Sequence, residues 1–301
     1  MTALPLQTAV RQRPDLRGLA ERVRSVEEGR CGSGRGREQR AAPGLDLGWG
    51  GVGPGPVLVR GAAHEFFSGW WAEPAGRQWV APVAVLADVA WRALRAAPSG
   101  DSGGPGLVVW IGRRCWPHPV VMVRPGGVPG TSGRALLERS ILIEAPDVAA
   151  RVWAIDLAAR SPATVLVIAD GSGLDMSATR RVQLAAEAGA ATAPGGVGGL
   201  VLLGRPEREL RELSASATRW LVRPEPSETG WPRWGVRLMR AKGRGLGRAA
   251  QVVTEETRSW VLEPDRAASC LRVPSDVAGG PGAAAGPAGR GADAGARRRA
   301  V

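Results

Sequence analysis

Apolar residues fall into two alternating rhythms through the middle of the chain. "AHEFFSG" (63–69) has the pattern of a strand entering a turn. Residues 80–97, "VAPVAVLADVAWRALRAA", carry Val83, Leu86, Ala90 and Leu94 on one helical face, with Asp88, Arg92 and Arg95 elsewhere. Short continuous apolar runs at "GLVVWIG" (106–112), "SILIEAP" (140–146), "TVLVIAD" (164–170) and "GGLVLLG" (198–204) read as strands buried on both faces. Between the last three lie two more helical patterns. The first, 147–161, is capped by Asp147 and has Val148, Val152, Ile155 and Ala159 along one stripe. The second opens at 176 with Ser177 as the expected cap, turns Val182, Ala185, Ala186 and Ala188 inward, and is expected to stop at Gly189.

Strand–helix alternation with fully apolar strands predicts an α/β fold, a mostly parallel sheet flanked by helices and joined by right-handed crossovers. From Thr218 the rhythm changes. "TRWLVRP", "RWGVRLMRA" and "RSWVLEP" follow one another without helices, which predicts antiparallel strands added at the edge of the sheet. The flanks differ in kind. Residues 1–43 hold one amphipathic helical pattern (Leu16, Leu19, Val23, Val26) and a Gly- and charge-rich linker, 44–263 hold the α/β domain, and 264–301 form an Ala/Gly/Pro-rich tail expected to be disordered.

Composition sharpens the functional classes. The chain has 301 residues, 44% of them hydrophobic, and 40 Lys+Arg against 28 Asp+Glu give a formal net charge of +12. That excess favours polyanionic partners, although codon bias towards Arg, Ala, Gly and Pro would produce the same balance. The three cysteines (Cys31, Cys115, Cys270) are scattered and the two histidines (His64, His118) have no partner spacing, so no zinc site or disulfide framework is indicated and no metal is expected. No long apolar stretch marks a membrane span or a signal peptide at "MTALPLQTAVRQRPDLRG", so the expectation is a soluble, cytoplasmic chain without membrane contact.

The order of these elements resembles the RecA core, and more closely the ImuA family, the RecA-related accessory proteins of bacterial mutagenic repair. The Gly/Pro entry at 50–56, "AAHEFFSG" (62–69), "EAPDVAARVWAIDLAARS" (144–161), "DMSATRRVQLAAEAG" (175–189), "SASATRWLVRP" (214–224) and "PRWGVRLMRAKG" (232–243) carry the resemblance, over about 44–262. It implies a RecA-like fold and a role in damage-induced (SOS) translesion synthesis. The implied partners are an ImuB-like Y-family polymerase homologue, RecA and, as a further contact, DNA.

Against that background the nucleotide site looks degenerate. A phosphate cradle needs G-x-x-x-x-G-K-[ST], in which bare N–H groups wrap the phosphates, the Lys neutralises them and a hydroxyl holds magnesium. After Gly69 the chain reads "WWAEPAGRQW": Pro74, which has no N–H, stands where the second glycine belongs, and Gly76, Arg77 and Gln78 arrive late. Asp170 is the one acid available for a metal-bound water, yet Ala169 occupies the place where the resemblance expects it, and alternation turns Asp170 to the other face. Gly204 and Arg205 replace the expected polar sensor. Neither catalysis nor a cofactor is expected from this site.

Other candidates are basic or aromatic. Arg180 and Arg181 sit near the start of their helix, where positive charge opposes the helix dipole; they contact an acidic partner or a phosphate, or else pair with Asp170 or Asp175. Arg219, near the start of the "TRW" strand, is a candidate partner or DNA contact. Arg237, Arg240, Lys242, Arg244 and Arg248 form a ribbon that fits either a DNA-backbone or subunit contact or a solvated hairpin. Trp91, Trp153 and Trp220 read as core, and Trp49, Trp70, Trp71, Trp231 and Trp234 as loop-borne packing, base stacking or partner anchors. His64 and Glu65 alternate to opposite faces and make no acid–base pair. The reading is a non-catalytic RecA-like adaptor; the alternatives are a divergent RecA-type ATPase acting on DNA or protein filaments, and a SulA-like division inhibitor.

Overall fold

The computed structural model describes residues 44–49, 55–69, 79–97, 106–123, 133–193, 198–228, 230–242, 259–265 and 270–274. The expected N-terminal helix and linker and most of the tail lie outside these residues, as do Trp70, Trp71, Pro74, Gly76, Arg77, Gln78, Arg244 and Arg248.

The centre of the fold is a sheet in which strands β3 (Ala62–Ser68), β4 (Leu107–Ile111), β5 (Ser140–Ile143), β6 (Thr164–Asp170), β7 (Leu200–Pro206) and β8 (Thr218–Glu225) run parallel. Three further strands, β9 (Arg233–Ala241), β10 (Ser259–Asp265) and β11 (Cys270–Arg272), continue it antiparallel, in the order β11-β10-β9-β8-β3-β7-β6-β4-β5. The α/β class, the parallel centre and the antiparallel edge agree with the sequence pattern. One detail differs: β8 pairs parallel to β3, so the antiparallel part begins at β9 rather than at Thr218. The packed chain also extends beyond residue 263, through β10 and β11. A short hairpin of β1 (Gly44–Asp46) and β2 (Val57–Val59) lies beside the sheet.

The two sheet faces bury separate apolar clusters. On one face helix α1 (Val83–Arg95), with the short helices α2 (Pro119–Met122) and α3 (Ala135–Glu138), packs Leu86, Trp91 and Leu136 against Phe66, Trp110, Ile168 and Leu202. Trp49 is fully buried here, edge-on to Trp220 with ring centres 6.2 Å apart, and Trp220 also meets Phe66 and Trp260. Trp49 is therefore core. On the other face α4 (Val148–Arg160) and α5 (Met176–Thr192) cover Val109, Val167, Val201 and Leu203. Trp153 of α4, by contrast, points outward and is 61% exposed. β5 is an edge strand with Ile141 and Leu142 exposed, not a strand buried on both faces.

Helix boundaries follow capping chemistry. Asp147 Oδ1 accepts from Ala150 N (2.8 Å), as expected for α4. For α5 the cap is Asp175, whose Oδ1 accepts from Ala178 N (2.7 Å), and Ser177 lies inside the first turn. α5 continues past Gly189 to Thr192. Gly189 serves close approach instead: a Cβ there would overlap the carbonyl of Ala159 on α4. Ala188, expected inside, is half-buried.

Asp175→Ala should lower the unfolding free energy by about 1 kcal/mol through loss of the cap. Ser177→Ala should change it by less than about 0.5 kcal/mol. Urea titrations of the two variants compare the positions directly.

Candidate functional site

In open α/β sheets the carboxyl ends of the parallel strands form the crevice that receives ligands. Here that end brings together Gly69 after β3, Gly112 after β4, Asp170 at the end of β6, and Gly204 and Arg205 near the end of β7.

Each of these positions is already engaged. A Cβ on Gly69 would overlap Glu207 Oε2, so a carboxylate lies over the glycine that would open a phosphate cradle. Glu207 is ion-paired with Arg223 of β8. Trp79 Nε1 donates to Ser68 Oγ (2.8 Å), Ser68 Oγ donates to Val80 O (2.8 Å), and Ala81 N donates to Arg114 O (3.1 Å), which fastens the chain down over the strand ends. A Cβ on Gly204 would lie 2.9 Å from Ala81 Cβ and 3.1 Å from Cys115 Sγ, so these side chains fill the space beside β7. Burial first, and then the Asp170 carboxylate, push the Cys115 thiol up from its ordinary range, against smaller opposing effects of Gly204, Arg151 and Arg114. The thiol stays protonated, without nucleophile character.

Asp170 is 1% exposed at its side chain. Its Oδ2 accepts from Arg151 Nη1 (2.6 Å) and Arg114 Nη1 (3.0 Å), and its Oδ1 from Ser172 N (2.9 Å) and Ser172 Oγ (2.6 Å). Arg151 Nη2 also donates to Ser172 O (2.7 Å). Ala169 belongs to the α4–α5 cluster and Ile168 to the α1 cluster, so the strand keeps the alternation read from the sequence. Four donors, two of them cationic, satisfy this one carboxylate from within the chain.

A second charged cluster lies deeper. Glu65 and Arg205 have no exposed side-chain surface and pair at 2.8 Å. Arg205 also reaches Glu209 (2.9 Å) and Glu212 (2.7 Å), and Arg219 Nε meets Glu65 at 2.6 Å. Burial alone would lower the Arg205 guanidinium, but Glu65 and Glu209 more than reverse it, and the net shift is upward. The Phe67 ring lies 5.8 Å from the Arg205 guanidinium and 5.0 Å from that of Arg219. Arg219 further donates to Leu210 O and Glu212 O, each 2.8 Å. Its expected place as a partner or DNA contact is corrected: Arg219 is 6% exposed and holds the fold together.

Beside this cluster, His64 donates through Nε2 to Val59 O (2.9 Å), which leaves Nδ1 to accept from Thr218 Oγ1 (2.7 Å). Thr218 Oγ1 in turn accepts from Trp220 Nε1 (2.6 Å). Burial pushes His64 down to about 4, opposed only by the bond to Val59.

The basic candidates separate. Arg180 and Arg181 occupy the second turn of α5, past the positive end of the dipole; Arg181 pairs with Asp156 of α4 (3.5 Å), not with Asp170 or Asp175. Arg237 is exposed on β9. Arg240 and Lys242 turn towards the carbonyls of Ser214 and Ser216. Sequence reasoning missed Glu65 and Arg151 as charge partners. A single acid in the otherwise apolar "AAHEFF" and a single arginine on the inner face of "VAARVWAI" are the marks they left.

No protein-family profile matches the chain. It is 30% identical over 180 residues to Protein ImuA of two strains of Caulobacter vibrioides, covering 54% of this chain and 62% of that protein. The chain thus matches somewhat under two thirds of the length of these curated relatives. The RadB recombinase crystal structure aligns with a TM-score of 0.45 and 10% identity, covering 74% of this chain and 94% of that one. No helix among the described residues is long and apolar enough to cross a membrane.

Asp170→Ala leaves Arg151 buried without its carboxylate and should destabilise the protein by about 3–5 kcal/mol, and Asp170→Ala/Arg151→Met should recover most of that loss. Chemical denaturation reads both. For His64, the unfolded chain takes up a proton below about pH 6.5 and the folded chain resists until about pH 4. Stability is therefore full above pH 6.5 and falls by about 2 kcal/mol on lowering the pH to 5. His64→Gln should be less stable at neutral pH but flatter across this interval, as followed by melting at stepped pH.

Proposed function

We propose that this chain is a non-catalytic RecA-like adaptor in damage-induced mutagenic DNA repair, acting beside a Y-family polymerase homologue and RecA. One observation carries the non-catalytic part: the acid at the end of β6 is spent on Arg151, Arg114 and Ser172. Water activation beside a triphosphate needs a carboxylate free to order magnesium and its waters. Here that carboxylate is a structural anion. The Glu207 carboxylate above Gly69 works in the same direction, because it opposes a phosphate at the mouth of the loop.

The likeness to ImuA, over 54% of this chain, supports the process. In this reading the sheet is a rigid frame. Its outer helices and the antiparallel strands present surfaces to partners, and no step of chemistry is required of it.

Phosphate release from magnesium-ATP measures the idea. Wild-type protein and Arg77→Ala should both remain at the level of a mock preparation, with and without single-stranded DNA. Turnover above that level which disappears in Arg77→Ala would establish the ATPase alternative. The purified polymerase homologue should be retained by the wild-type chain; retention of the division GTPase instead would establish the SulA-like one.

A further inference from the structure

The segment Leu213–Ser216 is where three separate elements meet. Ala215 N donates to Thr179 Oγ1 of α5 (3.1 Å). From the end of β9, Arg240 Nη2 donates to Ser214 O (3.2 Å) and Ser216 O (3.4 Å), and Lys242 Nζ donates to Ser214 O (2.9 Å). The aim of Arg240 comes from a bulge. Trp220 pairs with Leu238 but Arg219 pairs with Arg240, so Met239 has no opposite residue and Arg240 is turned onto the face of Arg219.

Among the described residues neither Arg240 nor Lys242 has an ion pair, their donors going to backbone carbonyls. Arg180, one residue after Thr179 on α5, is exposed and likewise has no ion pair among the described residues. Among the described residues Glu65 pairs with Arg205 and Arg219, Glu209 and Glu212 with Arg205, Glu187 is bonded to Gln183, and Asp175 caps α5. Arg240 Nε is buried with no hydrogen-bond partner among the described residues. Desolvation and the Arg219 charge lower Arg240, and desolvation, Arg240 and Arg219 lower Lys242, with only Glu65 opposing. An anionic acceptor brought in from outside would offset the mutual repulsion of these charges.

The elements that meet here also carry apolar side chains in water. Leu213 is 76% exposed although the segment that bears it is hydrogen-bonded to α5 and β9, and Met176, on the first turn of α5, is 46% exposed. None of these five residues is aromatic, so the surface has no ring platform for single-stranded bases. A protein segment with both acidic and apolar side chains complements both features.

We infer that the surface formed by Arg180 and Met176 of α5, Leu213, and Arg240 and Lys242 at the end of β9 docks an acidic, partly apolar segment of a protein partner. The inference rests on the adaptor reading and says where on this chain the partner sits.

The experiment measures affinity for the purified Y-family polymerase homologue and, separately, for a fluorescent single-stranded oligonucleotide. The variants are Leu213→Asp and Arg180→Glu/Lys242→Glu, with Trp153→Ala on the outward face of α4 as the control surface. Both docking variants change exposed side chains; Leu213→Asp should melt like wild type, and Arg180→Glu/Lys242→Glu, which gives up the Lys242 bond to Ser214 O, should melt within roughly a few degrees of it. Each should bind the polymerase homologue at least about tenfold more weakly, while Trp153→Ala and the oligonucleotide affinity change by less than about threefold. Unchanged affinity in both docking variants, or a loss confined to Trp153→Ala, overturns the docking surface and leaves the adaptor reading standing. Loss of oligonucleotide affinity with partner binding intact reassigns the surface to nucleic acid. If wild-type protein binds neither the polymerase homologue nor RecA, the adaptor reading falls and the docking surface with it.

Discussion

A charge placed inside a sheet covered on both faces has no water to turn to, and must be answered by another charge from the same chain. This constraint organises the molecule. Glu65 in the middle of β3 is met by Arg205 from β7 and Arg219 from β8, and Asp170 at the end of β6 is met by Arg151 from α4 and Arg114 from the turn after β4. The partners come from elements far apart in sequence. Each pair therefore helps to set which strands are neighbours, in addition to whatever net energy it contributes. Breaking one leaves a buried charge uncompensated, which costs more than the pair contributes.

The same constraint acts at the carboxyl end of the parallel strands. The carboxylate over Gly69, the four donors on Asp170, and the packing of Ala81 and Cys115 against Gly204 all occupy one crevice. Cations bonded to backbone carbonyls, and without an ion pair among the described residues, lie elsewhere, at the Leu213–Ser216 segment and the end of β9. In the adaptor reading, recognition moves from the strand ends to this outer surface. The interior keeps only the charges needed for its own assembly.

Much of this was legible in residue order. The continuous apolar runs of β4, β6 and β7 announced strands buried on both faces, and Asp147 announced the start of α4. The edge position of β5 was not legible, because "SILI" is as apolar as a central strand and only its place beyond β4 exposes it. Capping was misplaced by two residues at α5, since Asp175 and Ser177 are equally good caps locally and the exit from β6 decides between them. Gly189 looked like a stop and is instead the point of closest approach to α4. The roles of Trp49 and Trp153 were exchanged: a tryptophan in Gly/Pro-rich sequence is core, and one in a regular helix faces water.

By itself the sequence determined the fold class and the alternation of the elements, because these depend on local periodicity and on which groups a residue owns. The tertiary structure alone decided what each charge does. Arg219 and Arg240 both stand at the ends of basic strand motifs, yet one is sealed against Glu65 and the other is left with an unpaired Nε. The difference is set by strand pairing and by one bulge opposite β8, and pairing between strands is a long-range contact that no local pattern of side chains encodes.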